Sequence, residues 1–256
     1  MDFSKLGQAA AESDDQSVEK ASARPVPRAG VALMRLREYI ELGRHAPKNP
    51  THKPALKTML VFELLHPDHM IDTDDGKVPM TLTVRVNKTA SSKGRFLPLF
   101  QKMNHDGKAH HMVQMIGKPF LGTLTHNQSE DKKTTYVNLD GADGKWNIGA
   151  PQQVDALTNM TTEIPVPELK GKGRAFLWEN ASITEEQYVE LWNSLHIEGV
   201  RTDDNGKEHS KNWIQETIQK GMDWEGSVIQ GLTETSVDVS ELTAPEQDSA
   251  ADVPTY

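Results

Sequence analysis

The segment Val31-Ala32-Leu33-Met34-Arg35-Leu36-Arg37-Glu38-Tyr39-Ile40-Glu41-Leu42-Gly43 decides how the chain is read. Met34, Leu36, Ile40 and Leu42 fall on one side of it. Arg35, Arg37, Tyr39 and Glu41 fall on the other, and Glu38 is the one residue out of step. Alternation of period two is the pattern of a strand with one face buried. Gly43 ends it, and Pro47, Pro50 and Pro54 make the following stretch a loop.

Working outward, the spacing predicts a second strand at Lys57 to Leu65 and a third at Thr81 to Val86. In the third, Leu82, Val84 and Val86 point one way and Thr81, Thr83 and Arg85 the other. The aspartate-rich stretch between these strands, His66 to Lys77, reads as a turn. Phe96, Leu99, Phe100 and Met103 lie on one face of a helix. A short helical turn is expected at Met112 to Ile116, then strands at Phe120 to His126 and Thr134 to Leu139. The fold class is therefore mainly β. Five strands with a helix between the third and fourth is the plan of an OB-fold, a partly open five-stranded barrel that binds oligonucleotides or oligosaccharides.

Four regions follow. Residues 1–23 are too poor in apolar side chains to offset the entropy of ordering, and read as a disordered arm. Residues 24–150 hold the barrel. Residues 151–221 form an extension wrapping it, with two short helices. One has Ser182 to Glu185 as capping box and carries Tyr188, Leu191, Trp192 and Leu195. The other starts at Ser210, carries Trp213, Ile214, Thr217 and Ile218, and ends at Gly221. Residues 222–256 hold eight acidic residues and no Lys or Arg, which reads as an acidic, largely disordered tail.

Charge follows the same division. The net charge of −9 is spread as −3 over residues 1–20, +6 over 21–180 and −12 over 181–256. A basic middle with an acidic tail suggests a domain that meets a polyanion and a tail that competes for the same surface. The loop from Gly43 to Thr58 carries Arg44, Lys48, Lys53 and Lys57 with no acidic residue. Arg35 and Arg37 on the first strand, Arg85 and Lys88 on the third, Lys93 and Arg95 before the helix, and Lys118 complete the cationic set. Candidate base-stacking aromatics are Tyr39, Phe62, Tyr136 and Trp146. Cations to neutralise phosphates and aromatic faces to stack bases are what binding of a single strand needs.

Other chemistry finds little support. The chain has no cysteine, which excludes disulfides and thiolate sites. There is no Walker A loop, GxGxxG, GxSxG or HExxH motif. No catalytic residue and no cofactor is assigned. His66 and His69, the His105, His110 and His111 group, and the Asp72, Asp74 and Asp75 run read as solvated turns and not as a metal site. No apolar run has the length of a membrane span or a signal peptide, so the expected location is the cytoplasm.

The stretches Leu36 to Gly43 (LREYIELG), Met115 to Gly122 (MIGKPFLG) and Thr135 to Leu139 (TYVNL) resemble phage-encoded OB-fold proteins of the single-stranded DNA-binding class. The resemblance implies protection of replication and recombination intermediates, without sequence preference and without catalysis. It also implies an acidic tail that recruits replication or recombination proteins through its end. Asp248, Asp252 and Tyr256 correspond to that end here. The usual ending places Phe or Pro-Phe directly after the acids, and Val253-Pro254-Thr255-Tyr256 departs from it. The competing expectation is a structural or assembly protein of a phage particle. A nuclease accessory and a protein adaptor are the remaining readings.

Overall fold

The computed structural model describes residues 25–47, 49–73, 76–130, 134–141, 143–169, 171–178, 182–203 and 206–234. Lys48, Asp74, Asp75, the N-terminal arm, Asp248, Asp252 and Tyr256 lie outside them. In chain order the strands begin with β1 (Gly30–His45), β2 (Ala55–Leu64), β3 (Met70–Thr73), β4 (Gly76–Pro79) and β5 (Thr81–Asn87). Helix α1 (Phe96–Met103) and a 3-10 turn (Met112–Met115) precede β6 (Pro119–Gln128), β7 (Thr135–Asn138) and β8 (Ile148–Gly149). Then come β9 (Gln152–Val154), β10 (Thr161–Glu163), β11 (Arg174–Phe176), α2 (Glu185–Ser194), β12 (Val200–Thr202), β13 (Glu208–Ser210) and α3 (Trp213–Gln219).

The five expected strands sit side by side in the order β5-β2-β1-β6-β7, and all four contacts are antiparallel. The sheet is open. Among the described residues no ladder joins β5 to β7, so a closed barrel is not formed. The stretch expected as one turn before β5 instead folds into a 3-10 turn (Pro67–His69) and the β3–β4 hairpin.

The long strand β1 organises the molecule. Its first half pairs with β6, from Gly30 opposite Leu124 to Arg35 opposite Pro119. Its second half instead takes β11, in parallel, from Glu38 opposite Arg174 to Ile40 opposite Phe176. Strand β2 lies along the other side, from Met34 opposite Leu64 to His45 opposite Ala55. Two β-bulges let one strand serve both halves. Leu36 faces Phe62 while Glu38 faces Val61, which leaves Arg37 as the extra residue. A bulge residue shifts the side-chain alternation by one. Met34 and Leu36 therefore point into one core; after the bulge Tyr39 takes that side, and Ile40 and Leu42 point into a second core on the opposite face. Glu38 stays on the face of Ile40 and Leu42, where the Arg174 guanidinium donates to it, and the bulge corrects the placement of Tyr39 with the outward arginines. The second shift lies between Glu41 and Gly43, where Gly43 adopts φ 84°, a conformation that side chains resist.

The first core lies between the inner face of the sheet and α1. Leu60, Phe62 and Leu64 of β2, and Leu82, Val84 and Val86 of β5, meet Leu99 and Met103 of α1 and Phe120 of β6. The second core is built by the C-terminal third on the outer face. Ile40, Leu42, Met59 and Val61 of the sheet are covered by Phe176, by Tyr188 and Trp192 of α2, and by Ile214 and Ile218 of α3. Thr184, not Ser182, caps α2. Its hydroxyl accepts from the Gln187 N–H, and the Gln187 side chain returns to the Thr184 N–H. Asn212 takes the cap position of α3 without a side-chain bond, and Ser210 Oγ instead accepts from the Asn212 N–H.

The acidic segment departs from expectation over residues 222–234. Met222 N–H donates to the Arg44 carbonyl, Trp224 stacks on Trp192 at 5.2 Å between ring centroids, and Ile229 is buried in the second core. Among the described residues no helix is long and apolar enough to cross a membrane.

Candidate nucleic-acid interface

The cations of β1 do not face a groove. Arg35 donates to Glu63 at 3.0 Å and Arg37 donates to the other Glu63 oxygen at 2.9 Å. Arg35 also donates to the Pro167 carbonyl, so the chain before β11 covers the cluster. Register places Arg35 directly opposite Glu63, which is why the carboxylate meets both guanidinium groups.

Tyr39 is fully buried, with His111 edge-on at 5.6 Å and Phe96 at 6.4 Å. Its hydroxyl donates to Glu41 at 2.8 Å. Burial, and then the charge of Glu41, push the phenol far above its ordinary range, so it stays a neutral donor. Glu41 is itself 1% exposed, and also accepts from Lys88 Nζ at 2.5 Å and from the Trp178 N–H at 2.9 Å. Lys88 thus neutralises a buried carboxylate. Phe62 is core, packed edge-on against Phe120 at 6.4 Å. Arg44 is held by Asp223 at 3.0 Å. Lys118 lies 3.8 Å from Asp106, beside a separate cleft. Arg35, Arg37, Tyr39, Phe62, Arg44 and Lys88 each have an acidic partner or a core place that the linear pattern does not reveal.

The remaining cations converge elsewhere. Lys57, Arg85 and Arg95 line a cleft of about 600 Å³ together with Asn87 and Thr89, and among the described residues no carboxylate lines it. A second cleft of about 210 Å³ shares Arg85 and Arg95 and reaches Asn138 and Asp140 at the end of β7. The second cleft lies between β5 and β7, the two ends of the open sheet, and the first continues it past Arg85 and Arg95 to Lys57 of β2, so that the two form one seam. Among the described residues no carboxylate lies within ion-pair distance of Lys57 or Arg85. The Arg85 guanidinium lies over the Trp213 ring, 5.3 Å from its centroid. Lys53 and Lys93 are exposed in neighbouring loops.

Of the aromatic candidates, Tyr136 alone is open to solvent, at 55% exposure on β7. It lies two residues from Asn138 and so on the same strand face. Trp146 is 7% exposed, and its indole N–H donates to the Arg95 carbonyl at 2.8 Å. Arg95 lies over the ring at 3.9 Å, so Trp146 supports a groove residue from below and offers no face of its own. Sequence reading placed Trp213 only on a helix face. Its pairing with Arg85 depends on how α3 packs, and nothing local signals it.

Among the described residues no cluster of three His, Asp or Glu is arranged to hold a metal ion. Comparison with protein-family models, with curated proteins and with solved structures finds no match.

Proposed function

We propose that the chain binds single-stranded DNA along the seam between β5 and β7, without sequence preference, in phage-type replication or recombination. The carrying observation is the cleft lined by Lys57, Arg85 and Arg95, with no acidic residue among the described residues that line it. Two cations without a carboxylate partner among the described residues attract phosphates and release counterions from the strand. Tyr136 supplies a ring face for a base on the β7 side. The strand order supports reading the sheet as a partly open five-stranded barrel whose ends approach across the seam. On β2, Met59 and Val61 are buried in the second core, while Lys57 at the start of the strand stays open beside β5. The acidic tail competes for the seam or recruits replication proteins.

Fluorescence anisotropy of a labelled oligo-dT, at roughly 50 and 200 mM salt, tests the reading. Tight binding that weakens steeply with salt, and exceeds binding to duplex of equal length, supports it. No binding at the lower salt removes it. An oligo-U of the same length separates DNA from RNA preference.

One observation favours the second reading, a structural or assembly protein of a phage particle. The β9–β10 hairpin exposes Val154 at 60%, Leu157 at 94% and Met160 at 68%. Apolar exposure of this kind marks protein contacts. Multimers in light scattering that a Leu157→Asp change dissolves would support that reading.

A further inference from the structure

We infer that Arg95 acts as a stacking platform for one base, carried on Trp146, and not as a phosphate contact. The inference rests on the reading of the seam as a single-strand site.

The guanidinium of Arg95 is fixed on three sides. Its Nη2 donates to the Asp140 carboxylate, and its Nη1 donates to the Gly144 carbonyl at 3.0 Å. Both bonds use in-plane N–H groups, and the first neutralises the charge. The guanidinium carbon lies over the Trp146 indole, 3.9 Å from the ring centroid. The Trp146 N–H is bonded back to the Arg95 carbonyl, and Asp140 is bridged to Trp146 across the same small loop. Neither partner can shift without the other.

The Arg95 side chain is nevertheless 45% exposed, and it lines both clefts of the seam. Two of its five N–H groups are bonded and one side is toward the indole, so the opposite face is the surface it offers. A phosphate approaching that face meets the Asp140 carboxylate beside it and lies out of the plane in which the N–H groups point. A base meets neither obstacle. Bases stack on guanidinium planes as they do on aromatic rings, and a cation seated on a ring is pre-ordered for it. Arg85 and Lys57 differ, because no described carboxylate neutralises them. The seam thus divides its work: Lys57 and Arg85 hold phosphates, and Arg95 holds a base.

The test uses the full chain with two probes of equal length, oligo-dT and an abasic oligonucleotide with the same phosphates. For oligo-dT, Arg95→Lys should weaken binding by roughly 5- to 100-fold. The slope of log affinity against log salt should stay as in the wild type, and binding of the abasic strand should not change. Asp140→Asn, which frees the guanidinium charge, should steepen that slope by about 0.7, one added phosphate contact. Urea unfolding of both variants checks that they remain folded, and Asp140→Asn gives an answer even where Arg95→Lys does not fold. An equal loss on both probes, with a shallower slope, would make Arg95 a phosphate contact and overturn the inference. No loss on either probe would remove Arg95 from the path of the strand while leaving the seam as the site. Failure of the wild-type chain to bind either probe would overturn the seam itself and this inference with it.

Discussion

The Arg35 guanidinium and the Glu63 carboxylate meet at 3.0 Å, with both side chains 5% exposed. The same carboxylate binds Arg37 at 2.9 Å. Removing its charge leaves a buried cation without compensation. Glu63→Gln, which keeps the shape, should lower the free energy of unfolding by about 3–5 kcal/mol. Urea denaturation measures it. A loss below about 1 kcal/mol would mean the cluster contributes no more than a surface pair.

Strand β11 reaches β1 through a position that tolerates no side chain. A Cβ on Gly173 would lie 2.4 Å from Ile116 Cγ2 and 2.9 Å from the Arg37 carbonyl oxygen. The second contact is with backbone at the bulge, which cannot swing aside. Gly173→Ala should therefore destabilise by about 1–3 kcal/mol. A neutral effect in thermal unfolding would show that β11 can dock in another register.

The bulge at Arg37 marks the limit of what the sequence reveals. Alternation in Leu82, Val84 and Val86 puts the correct face of β5 inward, and the spacing of Phe96, Leu99 and Met103 finds α1, because both patterns are local. Strand β1 breaks its own period. The apolar residues on both sides of the bulge look like one face, yet they serve two cores. The fate of each cation was hidden for a similar reason. Glu63, Asp140 and Asp223 lie far along the chain from the arginines they bind, and only the folded register brings them together. Lys57, Arg85 and Arg95 were within reach of sequence reading; that they remain as the lining of a cleft was not.

Phosphate contacts should report themselves through salt. Lys57→Ala and Arg85→Ala should each weaken binding of oligo-dT and make the log–log salt dependence shallower by about 0.7. Arg37→Ala, whose charge is held by Glu63, should leave that slope unchanged. Equal slopes for all three variants would place the strand outside the seam.

Packing on the second core continues past Gly221. A chain ending at residue 234 should unfold like the full chain. One ending at Gly221 loses Ile229, 4% exposed, and the Trp224 stack on Trp192. It should be less stable by about 2–4 kcal/mol. Only the longer truncation is suited to testing competition by the acidic tail, and tighter oligo-dT binding at low salt is the expected result.

Two histidines make stability depend on pH. Burial lowers the pKa of His69 against the bonding of its ring to the Arg28 backbone, with His66, Asp68 and the Arg28 charge as smaller influences. Burial and the charge of Lys88 lower that of His111, opposed by Glu41. In the unfolded chain both take a proton near pH 6.5. Their contribution is full above that value and is lost as pH falls from it toward the lowered folded values. His111 Nδ1 also accepts from the Val113 N–H, a bond that a proton there would abolish. Urea unfolding at about pH 7.5 and 5.5 should show the loss. His111→Asn, which keeps an acceptor, should make it smaller.

The sharing of β1 between two cores also sets the order of assembly. The strand leaves the ribosome ahead of these partners: Glu38 to Ile40 wait for Arg174 to Phe176 along one edge, and Ile40 and Leu42 wait for Ile214 and Ile218. Contacts so distant in sequence slow folding, because the loop between them must close before they form. A ribosome-bound fragment ending near Gly149 would carry the seam cations while exposing Met59 and Val61 as bare apolar surface. Such a fragment needs a chaperone or invites self-association. Met59 and Val61 are covered only once the last third of the chain has emerged.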